Sequence, residues 1–219
     1  RRIAAHCADC GIEFMSTPFS AWGLELLVDL GIKRLKVASG EVPNLPLLHS
    51  FAARRLPIIL STGMSTLPEV ERAIGWIQSE WARIDYTPSR YDLIVLHCTS
   101  DYPAAPESAN LRAMDTMAEA FGLPVGYSDH TLGDAVSLAA VARGACVIEK
   151  HFTLDRTLPG PDHAASLDPA ELKGMVASIR SIEVALGHGR KEPHESEWRT
   201  RELVRRSAFA ARQIERGEQ

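Results

Sequence analysis

The chain of 219 residues is 45% hydrophobic and 24% charged, an ordinary globular composition that suits one domain with a sizeable core. Its net charge of −4 and its scattered lysines and arginines argue against a nucleic-acid partner, and no apolar run is long enough to span a membrane. The one CxxC pattern, at Cys7 and Cys10, closes a helical pattern instead of opening one, so we expect free thiols and a cytoplasmic protein.

Six short apolar runs alternate with helical patterns along the chain. Each run ends in polar side chains, as expected for strands that are buried on both faces of a parallel sheet. The predicted strands cover residues 14–17, 34–41, 57–63, 93–100, 123–130 and 146–151. The helical patterns cover residues 2–10, 20–30, 44–55, 66–81, 107–121, 131–143 and 168–186. This alternation predicts a parallel α/β sheet.

The gathering of polar groups at the strand ends favours a (β/α)8 barrel, whose active sites lie at the carboxyl ends of the strands. About six strand–helix units are present, which is too few to close eight strands, and a doubly wound sheet is the alternative. No glycine-rich nucleotide-binding motif follows any strand, so no motif supports that alternative. Residues 187–219 are polar and lack apolar periodicity, which indicates a linker and the start of a further segment.

Two histidines end neighbouring predicted strands. His130 closes the run over residues 123–130, and His151 closes the run over residues 146–151, with a predicted helix between them. A strand, a helix and a parallel strand bring both carboxyl ends to the same edge of the sheet. Two imidazoles at that edge could hold a divalent metal with positions left open for water and substrate.

The other strand ends supply one lysine and several hydroxyl groups. Lys36 lies inside an apolar run, where an unpaired charge would be costly. A positive charge surrounded by neutral donors suits a phosphate group. The hydroxyl residues are Thr17, Ser39, Ser61 and Ser128. Glu41 could act as a general base, and Asp162, in a stiff loop after the last strand, could bind a polyol substrate.

The strand-end motifs, in this order, resemble those of the N-acetylneuraminate (sialic acid) synthase family. They are FMSTPFS (14–20), KVASGE (36–41), ILSTGM (59–64), LHCTS (96–100), GYSDHT (126–131), EKHFT (149–153) and PGPD (159–162). Several are long and unusual, and together they cover nearly every strand end. The KVASGE motif is more similar to the sialic and legionaminic acid branches than to the pseudaminic acid branch.

The resemblance implies an enzyme that condenses phosphoenolpyruvate with N-acetylmannosamine, or a related amino-hexose, and releases phosphate. It also implies a (β/α)8 barrel, a Mn²⁺ or Mg²⁺ cofactor, and a homodimer when the protein is full length. His130 and His151 match the family's metal ligands, and Glu41 matches its general base. Phosphoenolpyruvate contacts are implied for Thr17, Lys36, Ser39, Ser61, Ser100 and Ser128. Sugar contacts are implied for Tyr102 and Asp162.

The resemblance also implies further segments on both sides of this chain. Residues 1–186 are expected to form a partial barrel that lacks the family's first two strands. Residues 187–219 are expected to be a linker and the start of a C-terminal antifreeze-like domain, which in the family supplies an arginine to the partner subunit. We therefore expect these 219 residues alone to be inactive as a synthase.

Two other interpretations remain open. Lys36 or Lys150 could form a Schiff base with a keto acid, since lysines on barrel strands support that aldolase chemistry. Alternatively, the chain could be a non-catalytic fragment that binds a phosphorylated ligand or a partner subunit. Trapping with borohydride, loss of turnover with a chelator, and turnover of the isolated chain would separate these possibilities.

Overall fold

Five parallel strands form the sheet of this protein in a computed structural model that describes residues 1–218. Each strand pairs with the next strand along the chain, in the order β1-β2-β3-β4-β5. A doubly wound sheet reverses its order at a switch point, and this one does not. The α/β barrel class is therefore confirmed, with five of its strands present in residues 1–218. The strands are β1 (Leu35–Val37), β2 (Ile58–Ser61), β3 (Leu93–Cys98), β4 (Val125–Asp129) and β5 (Ile148–Lys150).

Helices precede β1, connect the strands and follow β5. They are α1 (Arg2–Asp9), α2 (Ala21–Asp29), α3 (Leu45–Ala52), α4 (Leu67–Arg83), α5 (Ala113–Phe121), α6 (Ala135–Ala142), α7 (Pro169–Leu186) and α8 (Trp198–Val204). One compact unit covers Arg1–Ala185 and a second begins at Leu186. In the second unit, the guanidinium of Arg201 lies 4.9 Å from the ring centroid of Trp198. No helix within residues 1–218 combines the length and the apolar character that crossing a membrane requires.

The predicted strand over residues 14–17 is wrong. This segment runs without regular structure between α1 and α2, and no strand in residues 1–218 pairs with it. Pro18, which follows, has no N–H to donate to a ladder. Side chains hold the segment instead, because the Arg34 guanidinium donates two hydrogen bonds to the Glu13 carboxylate at 2.7 and 3.0 Å.

Two predicted helices begin later than the sequence pattern indicated. Helix α5 begins at Ala113 rather than at residue 107, and α6 begins at Ala135 rather than at residue 131. Asn110 (φ 41°) and Gly133 (φ 69°) adopt left-handed backbone conformations that an α-helix does not accommodate. The apolar periodicity could not reveal these interruptions.

The two faces of the sheet carry different side chains, because successive residues of a strand point to opposite faces. The outer face packs against the helices in one large apolar core that includes Leu60, Val95 and Tyr127. The inner face carries a small apolar cluster of Ile59, Ile94 and Leu96, with Val147 packed against it. Toward the carboxyl ends of the strands, the side chains on the inner face are polar.

Gly126 is the position on β4 where the inner face has no room for a side chain. A Cβ built there would lie 2.5 Å from Leu96 Cδ2 and 2.6 Å from the carbonyl oxygen of Val147. We expect Gly126→Ala to lower the free energy of unfolding by about 2–3 kcal/mol, because the backbone of the neighbouring strand must move. Urea unfolding would measure the loss.

Gly75→Ala is the matched control, because a Cβ at Gly75 in α4 meets nothing within 4 Å. This change should raise stability by up to about 1 kcal/mol, since alanine favours the helix more than glycine does. Equal stability of Gly126→Ala and the unchanged protein would contradict the packing described for the inner face.

Candidate active site

The two histidines lie side by side at the carboxyl ends of β4 and β5. Asp129 pairs with Lys150 in the parallel ladder, so the next residue on each strand is His130 or His151. Their ring centroids are 5.3 Å apart, with the ring planes inclined at 62°. His130 is 8% exposed and His151 is half-buried. The predicted juxtaposition of the two imidazoles is therefore present.

Hydrogen bonds orient the His130 ring. Its Nδ1 lies 2.7 Å from the carbonyl oxygen of Thr99. A carbonyl only accepts, so Nδ1 carries the proton and Nε2 of the neutral ring keeps its lone pair. Burial lowers the pKa of His130, which favours this neutral form near pH 7. The ring is thus prepared to coordinate a cation through Nε2.

Tyr102 and Asp162 border the histidine pair. The Tyr102 ring centroid is 4.2 Å from that of His130 and 5.6 Å from that of His151. Asp162 Oδ2 lies 3.8 Å from His151 Nδ1. Burial raises the pKa of Tyr102, and neighbouring acidic groups add to the shift, so the phenol keeps its proton as a hydrogen-bond donor.

Lys36 is a buried ammonium group on the inner face, 6% exposed. Its Nζ donates to Ser61 Oγ at 2.7 Å and to the carbonyl of Val37 at 3.3 Å. Glu149 Oε2 lies 3.4 Å from the same ammonium. The sequence indicated a buried lysine that needs a partner, and the structure supplies a carboxylate and a hydroxyl.

Glu149 is a central residue that the sequence analysis did not single out. Its Oε1 accepts a hydrogen bond from Ser128 Oγ at 2.7 Å, and Ser128 Oγ is 3.4 Å from His130 Nε2. This carboxylate therefore links Lys36 to the histidine pair. The signal was present in the motif, because Glu149 lies two residues before His151 and so shares its face of the strand.

A third group of polar side chains surrounds Gly63, directly after β2. Ser39 Oγ accepts the Gly63 N–H at 2.9 Å and lies 3.3 Å from Cys98 Sγ. A Cβ added at Gly63 would come within 2.3 Å of Ser100 Oγ and 3.0 Å of Ser39 Oγ. A side chain at position 63 would therefore displace the two predicted phosphate contacts from their present positions.

If Ser39 and Ser100 hold the phosphate of phosphoenolpyruvate, as the resemblance implies, Gly63→Ala should weaken its binding by roughly tenfold or more, because the methyl group displaces both side chains. Titration calorimetry would measure the dissociation constant. Gly40→Ala is the control, since a Cβ at Gly40 meets nothing within 4 Å although the residue adjoins Ser39. If Gly63→Ala and Gly40→Ala bound phosphoenolpyruvate with equal affinity, Ser39 and Ser100 would not be contacts of its phosphate group.

Among residues 1–218, no side-chain hydrogen bond or ion pair joins Thr17 or Glu41 to these groups. Thr17 is half-buried in the irregular segment before α2. Glu41 Oε2 accepts a hydrogen bond from Asn44 Nδ2 at 2.6 Å, and Asn44 caps α3 by accepting the Leu47 N–H. The bond to Asn44 orients the Glu41 carboxylate, and its role as general base stays a prediction.

The donor set bears on the predicted metal. Within residues 1–218, no group of three or more His, Cys, Asp and Glu side chains is arranged around one ion. Two neutral imidazoles fit a cation that completes its shell with water or substrate oxygens. His130 and His151 therefore fit a divalent cation whose other ligands are oxygen atoms, and the choice between Mn²⁺ and Mg²⁺ stays a prediction.

Comparisons with known proteins agree with the motifs. A model of the NeuB family matches residues 1–191. The N,N'-diacetyllegionaminic acid synthase of Legionella pneumophila is 52% identical over 209 residues, which cover 95% of this chain and 58% of that protein. The synthase of the same name from Campylobacter jejuni is 47% identical over 218 residues, covering 100% of this chain and 64% of that protein.

A solved structure also matches. The crystal structure of an N-acetylneuraminic acid (sialic acid) synthetase from Leptospira borgpetersenii, in complex with citrate, has a TM-score of 0.82 at 37% identity. The match covers 94% of this chain and 70% of that chain. This chain spans about six-tenths of the length of the two curated relatives.

Proposed function

The chain belongs to the NeuB family, the sialic acid synthase family, and we propose that it condenses phosphoenolpyruvate with an amino-hexose to form a nonulosonic acid and phosphate. One observation carries the proposal. Glu149 joins the buried ammonium of Lys36 to the Ser128 and His130 end of the site. An anion site and a metal site on one edge of the sheet suit a phosphorylated substrate that reacts with a carbonyl group.

The residues around Lys36 hold the phosphate of phosphoenolpyruvate in this proposal. The ammonium supplies the positive charge, and the hydroxyls of Ser39, Ser61 and Ser100 supply neutral donors at the same edge of the sheet. Lys36 lies on β1 and Ser61 ends β2, whereas Ser39 and Ser100 each lie two residues after β1 and β3, so the strand ends set where these groups lie. The phosphate is held before and during the reaction without large reorganisation.

The open-chain sugar binds between the histidines and the loop after β5. Tyr102 and Asp162 offer a phenol and a carboxylate to its hydroxyl groups, and both border the imidazole pair. His130 and His151 would hold a divalent cation, which would supply Lewis acidity for the aldehyde of the sugar. The protein contributes the orientation that brings the aldehyde carbon to C3 of phosphoenolpyruvate.

The bond changes balance with one water molecule. A bond forms between C3 of phosphoenolpyruvate and the aldehyde carbon, whose oxygen becomes a hydroxyl group. Water adds at C2 and gives a proton to a base, for which Glu41 is the candidate, oriented by Asn44. The C2–O bond to phosphate then breaks, the oxygen from water becomes the C2 carbonyl, and the bridging oxygen leaves with the phosphate. Of the two protons of the water, one ends on the new hydroxyl group and the other on the phosphate.

The relatives favour one class of sugar. The two relatives at 52% and 47% identity are both N,N'-diacetyllegionaminic acid synthases. Three carbons of a nine-carbon product come from phosphoenolpyruvate, so a diacetamido product requires a diacetamido hexose. We therefore expect a diacetamido hexose to be a better substrate than N-acetylmannosamine.

The geometry argues against one of the two lysines proposed for the Schiff-base alternative. Lys150 Nζ lies 3.0 Å from the Asp129 carboxylate and also donates to the carbonyl of Thr131. The Asp129 side chain lies on the outer side of the sheet, whereas the side chains of His130 and Glu149 lie on the inner side. Of these two lysines, Lys36 is the one that faces the site.

An isotope experiment tests the proposal. The full-length protein is incubated with Mn²⁺, a diacetamido hexose and phosphoenolpyruvate that carries ¹⁸O at the bridging position. We expect a nonulosonic acid and phosphate only when both substrates are present, with the label in the phosphate. Label retained in the acid, phosphate release without the sugar, or borohydride trapping of a lysine would each contradict the proposed reaction.

A further inference from the structure

A buried ion pair lies directly behind the two histidines. Asp129 is 0% exposed and the Lys150 side chain is 3% exposed, and the Lys150 ammonium lies 3.0 Å from Asp129 Oδ2. These residues form the last paired position between β4 and β5. Each one immediately precedes a histidine of the site, so the pair joins the two strands at the point where the imidazoles emerge.

The carboxylate of this pair is fully hydrogen-bonded. Asp129 Oδ1 accepts the N–H of Thr131 at 2.9 Å and its hydroxyl at 2.7 Å. Asp129 Oδ2 accepts the hydroxyl of Ser137, in α6, at 2.6 Å in addition to the ammonium. The backbone on both sides of His130 is therefore held, since Asp129 precedes it and Thr131 follows it.

The ammonium adds a second tie across the same two strands. Lys150 Nζ donates to the carbonyl of Thr131 at 2.5 Å. The His130 carbonyl accepts the N–H of Ala104 at 2.9 Å, on the side away from β5. The position of His130 relative to His151 thus depends on contacts that Lys150 makes with two different residues of β4 and its extension.

We propose that the Asp129–Lys150 pair is a positioning clamp that sets the separation of the two imidazoles and thereby the metal affinity of the site. The inference rests on the metal site of the proposed function and deepens it. Replacing a buried ion pair by apolar residues is often neutral or stabilising, so stability alone does not account for this pair. Mutation of residues that orient metal ligands typically lowers metal affinity ten- to a hundredfold.

The test measures manganese binding to the full 219-residue chain. In Lys150→Met, we expect the Mn²⁺ dissociation constant, measured by titration with electron paramagnetic resonance, to rise ten- to a hundredfold. The phosphoenolpyruvate affinity without metal should change less than about twofold, because Lys36 and Ser61 keep their contacts. A variant that was merely less stable would lose affinity for both Mn²⁺ and phosphoenolpyruvate.

A second variant removes the risk of an unpaired buried charge. Asp129→Asn/Lys150→Met neutralises both partners and keeps an oxygen that can accept the N–H of Thr131. We expect it to fold and still to bind Mn²⁺ at least tenfold more weakly. Glu80→Gln is the matched control, since it alters a buried carboxylate in α4 that is bonded to Arg83. It should lower stability without changing Mn²⁺ affinity.

The outcomes separate the inference from the proposed function. An unchanged chain that binds no Mn²⁺ would overturn the metal site and, with it, the clamp. If the chain without substitutions binds Mn²⁺ and both variants bind it equally well, the metal site stands and the clamp is ruled out. A Glu80→Gln loss as large as that of the variants would also overturn it, because general destabilisation would then explain the effect.

Discussion

Replacing either histidine of the site by alanine is expected to lower Mn²⁺ affinity by at least roughly a hundredfold, because each change removes one of only two protein ligands. Asp162 lies 3.8 Å from His151 but is half-exposed and does not replace an imidazole donor. Titration of the chain with Mn²⁺, followed by electron paramagnetic resonance, would measure the loss. His130→Ala and His151→Ala should behave alike.

The same experiment should show little effect on the anion side of the site. Phosphoenolpyruvate affinity without metal is expected to stay within about twofold, since neither imidazole contacts Lys36. His6→Ala, on the exposed α1, is the control for general loss of a histidine. Normal Mn²⁺ binding by a double variant of His130 and His151 would rule out this metal site.

Lys36→Met is expected to weaken phosphoenolpyruvate binding by about 2–4 kcal/mol, or roughly thirtyfold to a thousandfold, because a charge-assisted contact to phosphate is lost. Methionine keeps most of the buried stem, so the packing of β1 is retained. Glu149 is left without its cation, but its carboxylate is partly exposed to water. Calorimetry with phosphoenolpyruvate would measure the change.

Two comparisons make the Lys36 result specific. Lys33→Met removes an exposed ammonium three residues earlier and should leave phosphoenolpyruvate affinity unchanged. Mn²⁺ affinity of Lys36→Met should also stay close to that of the unchanged chain, because the histidines keep their contacts. Unaltered phosphoenolpyruvate binding by Lys36→Met would place the phosphate elsewhere on the protein.

Local patterns predicted most of the sheet, because apolar runs between helices leave few ways to bury both faces. All five strands lie within predicted runs, and the capping pattern at Thr66 and Glu69 opens α4, where the Glu69 carboxylate accepts the Thr66 N–H at 2.7 Å. The prediction of a strand over residues 14–17 is wrong. Its composition suits a strand, but no strand in residues 1–218 pairs with it. Whether a segment pairs into a sheet depends on the segments beside it, and its own composition does not reveal this.

The sequence predicts a parallel α/β sheet, the edge of that sheet which carries the polar groups, and the neighbouring positions of His130 and His151. These follow from periodicity and from the rule that parallel strands end at a common edge. Which polar groups come into contact depends on the folded chain. Glu149 bridges Lys36 and Ser128 on the inner side, and Lys150 pairs with Asp129 behind the histidines. The reason is physical, since register and burial depend on residues distant in the chain.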